Sequence, residues 1–273
     1  MHGWHRPAAA MRATRSDVRA WRAAVTMFTV VPVAGPADIG RDDAGRIVLW
    51  LPVLGGALGA AAAGALLACE AGGDSVARRL LAATVAFGVL GILTGGMHLD
   101  GLADTVDGLG SRRPRQEALD IMRRSDTGPM GVAALLFVVL VQVTALAALP
   151  SRWLSAAALV VAAITGRVAV LLAADAPAAR PQGFGALIAG AATGRTRAGV
   201  AAALAGTVAI AGALAGGPLL AVRGLAAVVL ALAVAATLRR VAVRRLGGMT
   251  GDVFGAMIEL SAATVLLVLV AFS

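Results

Sequence analysis

Gly131-Val-Ala-Ala-Leu-Leu-Phe-Val-Val-Leu-Val-Gln-Val-Thr-Ala-Leu-Ala-Ala-Leu149 contains no charged side chain. Wound as a helix at ~1.5 Å per residue it spans close to the ~30 Å hydrocarbon core of a bilayer. Working outward, comparable apolar runs occupy 47–69, 80–97, 154–174, 198–215, 219–238 and 253–272. Composition agrees: 59% of the 273 residues are hydrophobic, 14% are charged, and the mean hydropathy is +0.85. Soluble domains carry roughly a quarter charged residues. The chain therefore reads as an all-α, polytopic membrane helix bundle of about seven transmembrane helices. The stretch 25–33 is too short to span and is closed by Pro32, so a short interfacial or re-entrant element is expected there. Residues 1–24 are expected to form an Arg-rich, disordered extension without a secretory signal, and 25–273 a single integral-membrane unit. A transmembrane β-barrel is excluded, because aromatics are 4%, tyrosine is absent and no ~10-residue alternating segments occur.

Every one of the 24 basic residues is arginine. Threaded from a cytoplasmic N-terminus, all fall on the cytoplasmic side except Arg78, Arg79, Arg152, Arg223 and the intrahelical Arg167. That asymmetry obeys the positive-inside rule and predicts an integral, multi-pass cytoplasmic (inner) membrane protein. A nucleic-acid partner is excluded, since no aromatic side chains interleave the arginines to stack bases. The lone Cys69 supports neither an intrachain disulfide nor a multi-cysteine metal site. The Ala/Gly-rich helices are read as close packing in lipid and given no functional weight.

The polar residues that topology does not explain fall into three connections on the arginine-rich side. In Gly95-Gly-Met-His98-Leu-Asp100-Gly-Leu-Ala-Asp104-Thr-Val-Asp107-Gly108, the aspartates are spaced i, i+4, i+7, within roughly 60° of arc on one helical face. Like charges so aligned repel. A compensating hard cation suits such oxygens, and Mg²⁺ commonly uses a few carboxylates with waters and substrate phosphates; the plain alternative is a solvated acidic loop. His98 lies about 160° from Asp100 on an ideal helix, and is either a phosphate ligand or general base, or a hydrogen-bonded structural residue. The second connection, Ile121 to Gly131, carries Arg123, Ser125 and Gly128: arginine forks pair with phosphate, and a polar turn before a helix offers backbone N–H groups to an anion. The third, Arg244 to Asp252, brings Arg245, Gly248, Thr250 and Gly251 beside Asp252, with a simple loop cap as the alternative. Glu259, seven residues on, shares a helical face with Asp252 and is a functional candidate, as ionisable groups inside bundles usually are.

At His98 to Gly108, Met122 to Gly131 and Leu246 to Ala256 the chain resembles the cobalamin synthase family, the adenosylcobinamide-GDP ribazoletransferases, a likeness that extends over most of the chain from Thr26 onward. The resemblance implies a Mg²⁺-dependent membrane transferase of late coenzyme B12 assembly. In its reaction a ribose hydroxyl of α-ribazole, or of its 5′-phosphate, attacks the cobinamide-bearing phosphorus of adenosylcobinamide-GDP and GMP leaves. It assigns Asp100, Asp104, Asp107 and Asp252 to the metal and His98 to the proton of the attacking hydroxyl. Arg123, Ser125, Gly128, Arg245, Gly248, Thr250, Gly251 and Glu259 fall to the substrate. An active site facing the cytoplasm is implied, with room for a homo-oligomer or association with other late-pathway enzymes. The family's middle motif reads basic-Asp-Ser-Arg, whereas this chain has Arg123-Arg124-Ser125-Asp126, with the acidic and basic positions around the serine exchanged. Two competing readings are a CDP-alcohol phosphotransferase, of whose signature only the half Gly96-x₃-Asp100-x₃-Asp104 is present, and a membrane transporter using Glu259 as a proton relay.

Overall fold

The computed structural model describes residues 6–271. Among them the regular structure is helical: α1 (Arg6–Phe28), α2 (Arg41–Glu70), α3 (Val76–Leu93), α4 (Met97–Gly110), α5 (Arg115–Ile121), α6 (Pro129–Ala148), α7 (Arg152–Ala173), α8 (Phe184–Ile188), α9 (Gly194–Leu246) and α10 (Gly251–Ala271). Short polar signals set the ends. Ser75, Ser151 and Thr193 side chains accept the backbone N–H of Arg78, Leu154 and Thr196, which starts α3, α7 and α9. Pro129 opens α6, where a missing N–H costs nothing.

Six helices (α2, α3, α6, α7, α9 and α10) are long and apolar enough to cross a bilayer. One of them, α9, is two arms. Its backbone leaves helical geometry at Gly216 and Gly217, the latter at φ 78°, and Pro218 follows. The arms 194–215 and 218–246 run antiparallel: a Cβ on Gly212 would lie 2.8 Å from Ala221 Cα, and one on Gly224 2.8 Å from Val208 Cγ1. Seven crossing segments result, as the hydropathy pattern predicts.

Alternation gives the bundle two ends. The 71–75 and 149–151 turns and the 216–217 tip share one, where Leu66, Leu146, Leu149, Leu159 and Leu266 pack into an apolar layer. At the other end Val48, Leu51, Leu119, Ile188, Leu246 and Met249 form a second layer beneath α4, α5 and α8. Centrally, α7 and α10 bury 72% and 61% of their apolar stretches, while α3 buries 17% and α6 28%. The outward faces of α6 and α9, with Leu136, Phe137, Leu140 and Leu214 exposed, are suited to lipid.

The N-terminal expectation needs correcting. Of the extension 1–24, residues 1–5 lie outside the described residues, but α1 begins at Arg6 and runs through Phe28 without interruption. It absorbs the first half of the 25–33 element, whose remainder is irregular. Ala20, Ala23 and Ala24 recur at i, i+3, i+4 and bury completely against Ile47, Leu54 and Leu58. Arg19 pairs with Asp43 and Arg46 with Asp17, pinning α1 to α2. The apolar stripe is narrow and its flanks carry arginine, which is why composition alone suggested disorder.

Where α4 crosses α10 the backbones meet closely. A Cβ on Gly101 would sit 2.7 Å from the Asp252 carbonyl oxygen, and one on Gly255 3.1 Å from His98 Cα. Backbone meets backbone there, so neither neighbour can yield by rotating a side chain. Gly255→Val is expected to destabilise the protein by about 1–3 kcal/mol, the usual cost of overpacking, measured as a lowered midpoint of thermal unfolding in detergent.

Candidate active site

Gly95 and Gly96, at φ 60° and 72°, end α3 and turn the chain into α4. Because α4 begins at Met97, His98 lies inside the helix, buried where α4 meets α10, in the wall of the same cavity as Asp100 and Asp252. It is 6% exposed and lies beside Arg167. Burial, then the Arg167 charge, push its pKa well below the ordinary histidine value, so the imidazole is neutral.

The glycine crossing carries Asp100 and Asp104 to Asp252, at the first turn of α10. The Asp104 carboxyl is pushed up to about 6, first by burial and then by the charges of Asp100, Asp252 and Asp107, with Arg180 opposing them. Carboxylates from two distant stretches thus share one crowded space. Thr250 Oγ donates to the Asp252 carboxylate at 3.1 Å and accepts the Val253 N–H at 3.2 Å, so Thr250 both starts α10 and orients Asp252.

Asp107 has a different set of partners. Its carboxylate accepts the backbone N–H of Gly128 at 2.7 Å and of Gly131 at 2.8 Å. It holds the start of α6, where a negative charge also opposes the positive end of the helix. Gly128 takes part through this bond, and a Cβ on it would lie 2.6 Å from the Asp107 oxygen.

Gly248 serves packing. At φ 159°, its Cβ position falls 2.3 Å from the Pro177 carbonyl oxygen. This close approach permits Met249 N–H to reach Pro177 O at 2.8 Å and Ala179 N–H to reach Met249 O at 3.0 Å. The pairing delivers Arg180 to the site: Nη1 lies 3.4 Å from the Asp252 carboxylate and Nη2 donates to Leu119 O at 2.9 Å. Sequence reasoning missed Arg180. Its only signal was a charged residue enclosed by Pro177 and Pro181, and the contact depends on a long-range fold. Arg123, Ser125, Arg245 and Gly251 are exposed at the same end.

Glu259 does not join Asp252. A 260 Å³ cavity is lined by His98, Asp100, Arg167 and Asp252, with Phe28, Phe184 and Phe254 as its apolar wall. Those three rings stack edge-on at 4.9 and 5.6 Å between centroids. Glu259 lines a separate cavity behind His98, Arg167 and Ile258, where its carboxylate accepts Gln142 Nε2 at 2.9 Å. Seven residues of helix return a side chain to the same face but ~10 Å deeper, so a shared face does not make a shared cavity.

Among the described residues no three His, Cys, Asp or Glu side chains are grouped closely enough to hold a metal ion by themselves. The donor set nevertheless suits Mg²⁺, which usually takes one or two protein carboxylates and completes its shell with water and substrate phosphate. Asp100, Asp104 and Asp252 repel one another with Arg180 as their close counter-charge, an arrangement that an added cation relieves.

A polytopic helix bundle that gathers carboxylates and a buried histidine around a cavity at one end has the make-up of a membrane-embedded enzyme. The cobalamin-5-phosphate synthase family model matches residues 20–270. Similar proteins include the adenosylcobinamide-GDP ribazoletransferase of Frankia casuarinae, 43% identical over 258 residues, 91% of this chain and 93% of its own. Those of Bradyrhizobium diazoefficiens (38% over 265 residues, 94% and 95%) and Nocardioides sp. (38% over 252 residues, 91% and 96%) bear the same name. No solved structure matches. The chain belongs to the cobalamin-5-phosphate synthase family and is a transferase of cobalamin biosynthesis. The family decides among the three readings of the sequence, against the CDP-alcohol phosphotransferase and the transporter.

The contrast between Asp107 and its neighbours is measurable. Asp107→Ala removes two bonds at the start of α6 and is expected to cost about 1–2 kcal/mol of stability, while Asp100→Asn relieves repulsion and leaves stability unchanged or higher. Unfolding curves of the two variants in the same detergent check this.

Proposed function

We infer that the chain transfers the cobinamide-phosphate group of adenosylcobinamide-GDP to a ribose hydroxyl of α-ribazole, or of its 5′-phosphate, releasing GMP and forming adenosylcobalamin or its 5′-phosphate. The observation that carries this reading is the α4–α10 crossing, which sets Asp100 and Asp252 in the wall of a cavity that also holds His98 and Arg167, with Asp104 near enough for their charges to raise its pKa. In the step, the hydroxyl oxygen bonds to the cobinamide-bearing phosphorus and the bond from that phosphorus to the GMP oxygen breaks. GMP leaves with the electron pair.

Such a displacement builds charge on phosphate oxygens and needs its neutralisation more than a covalent intermediate. One or two of Asp100, Asp104 and Asp252 would hold Mg²⁺, with water and substrate phosphate completing its shell, and the ion would supply that neutralisation. His98 suits the attacking proton: its imidazole is neutral, buried and at the cavity wall. Arg123 and Arg245 are exposed at the same end of the bundle and suit the phosphates of the departing nucleotide, as bidentate partners. The aromatic wall of Phe28, Phe184 and Phe254 limits water, which would otherwise compete with the ribose hydroxyl. Arginine asymmetry supports a cytoplasmic position for this end of the bundle and a cytoplasmic-membrane location for the protein.

Purified wild type in detergent is expected to release GMP from adenosylcobinamide-GDP only when α-ribazole or its phosphate is present, with activity abolished by EDTA and restored by Mg²⁺. Asp104→Asn should lower kcat/KM by about 100-fold or more, as losing a charge-stabilising group commonly does. Folded wild type that releases no GMP with either acceptor would refute the reading. Orientation is checked separately: in a Cys69→Ser background, Arg124→Cys should react with a membrane-impermeant maleimide in inverted membrane vesicles and not in intact cells.

A further inference from the structure

Behind the carboxylate cavity lies a second one of 310 Å³, at the lower end of the range for small-molecule pockets, bounded by α3, α6, α7 and α10. His98, Arg167 and Ile258 line both and form the partition between them. Most of its wall is apolar, including Phe87, Leu90, Val139 and Leu159, but one edge is not: Arg167, Glu259, Gln142 and His98 converge there.

Arg167 is 6% exposed. Of its five N–H donors, Nη1 donates to the carbonyl of Ala163 at 3.2 Å, itself a residue of the cavity wall. Its attraction to Glu259 acts at a distance: the two do not approach within 4 Å as an ion pair among the described residues. Glu259 is engaged instead by Gln142. A buried guanidinium with donors to spare is costly unless something accepts from it.

The opposite wall is held open. Gly88 and Gly91 of α3 line the cavity, and a Cβ on either would meet nothing within 4 Å. Glycine inside a helix is unfavourable compared with alanine, and here no neighbour requires it. Both positions leave open space at this wall.

We propose that this cavity holds the heteroaromatic base of the acceptor nucleoside, with its ribose hydroxyl at His98 facing the carboxylates. The proposal rests on the transferase reading above. Adenosylcobinamide-GDP is too large and too charged for the cavity, whereas the base of α-ribazole is a flat, uncharged, methylated bicycle. Its apolar edge lies against α3 and α6. Its unsubstituted ring nitrogen accepts from Arg167. Entry of the two substrates from opposite sides of the His98 partition brings the hydroxyl to the phosphorus without either having to pass the other.

The test uses full-length protein in detergent, with Gly91→Leu and Gly88→Leu filling the cavity from positions where the added atoms meet no backbone. Binding of α-ribazole alone is measured by equilibrium dialysis, and turnover by GMP release. In variants whose thermal midpoint and elution match wild type, the Kd and KM for α-ribazole are expected to rise at least tenfold, while the KM for adenosylcobinamide-GDP changes less than twofold. Arg167→Gln should weaken α-ribazole binding as well; the charge-neutral pair Arg167→Gln with Glu259→Gln should not recover it, as it would if Arg167 only balanced Glu259. Folded Gly91→Leu or Gly88→Leu with unaltered α-ribazole binding would overturn the proposal and point to a lipid chain as the occupant, while leaving the transferase reading intact. A wild type that binds α-ribazole but releases no GMP would sink the transferase reading alone.

Discussion

The approach of α4 to α10 at Gly101 and Gly255 is the constraint on which the site depends. Two helices at this separation exclude any side chain between their backbones, which is how membrane bundles gain packing where water supplies no driving force. Asp100 and Asp104 come from one helix and Asp252 from another 148 residues after Asp104. Were the helices at an ordinary 8–10 Å spacing, the carboxylates would lie farther apart and repel one another less. Thr250 and the pairing of Ala179 with Met249 then fix the rotation of α10 and the location of Arg180, so the local geometry of the third connection serves the same crossing.

Charge at this end of the bundle is divided between two tasks. Asp175 takes Arg197 at 2.6 Å and Arg239 at 2.9 Å, tying the 175–197 segment to both arms of α9. Arg115 donates to Ala179 O, which steadies the same segment against α5. These arginines are occupied with holding the loop that presents Arg180. Arg123 and Arg245 remain exposed to solvent. A count of arginines per connection, sufficient for topology, therefore says little about which of them meet phosphate.

Much of the fold was legible because its determinants are local. Apolar length fixed the spans, and Gly216-Gly217-Pro218 marked the reversal that divides one continuous apolar stretch into two crossings. The i, i+4, i+7 spacing of the aspartates correctly put them on one helix, α4. What escaped were features set by a second element. Asp107 is on the same face as Asp100 and Asp104, yet the start of α6 claims both its oxygens. Glu259 shares a face with Asp252, but lies two turns deeper and behind a partition. The order of α1 depends on Ile47, Leu54 and Leu58 burying a three-alanine stripe too narrow to stand out in an arginine-rich segment. Periodicity reports the face of a helix; depth and partner come only with packing.

Placing this chemistry inside a bundle has a physical rationale. Transfer of a phosphate group to a ribose hydroxyl competes with transfer to water, present at far higher concentration, so selectivity requires that the hydroxyl be positioned and water be kept from the line of attack. A membrane bundle supplies both at once. Its outer end can be acidic and wet where carboxylates meet a charged donor, while a few ångströms deeper the same helices offer walls of Phe, Leu and Val that water does not favour. The boundary between the two regimes is where a proton acceptor is most useful, and His98 sits there, its imidazole kept neutral by the apolar side and by Arg167. The buried cation and the buried carboxylate, costly in any bilayer protein, are tolerated because they mark the polar edge of an otherwise apolar chamber.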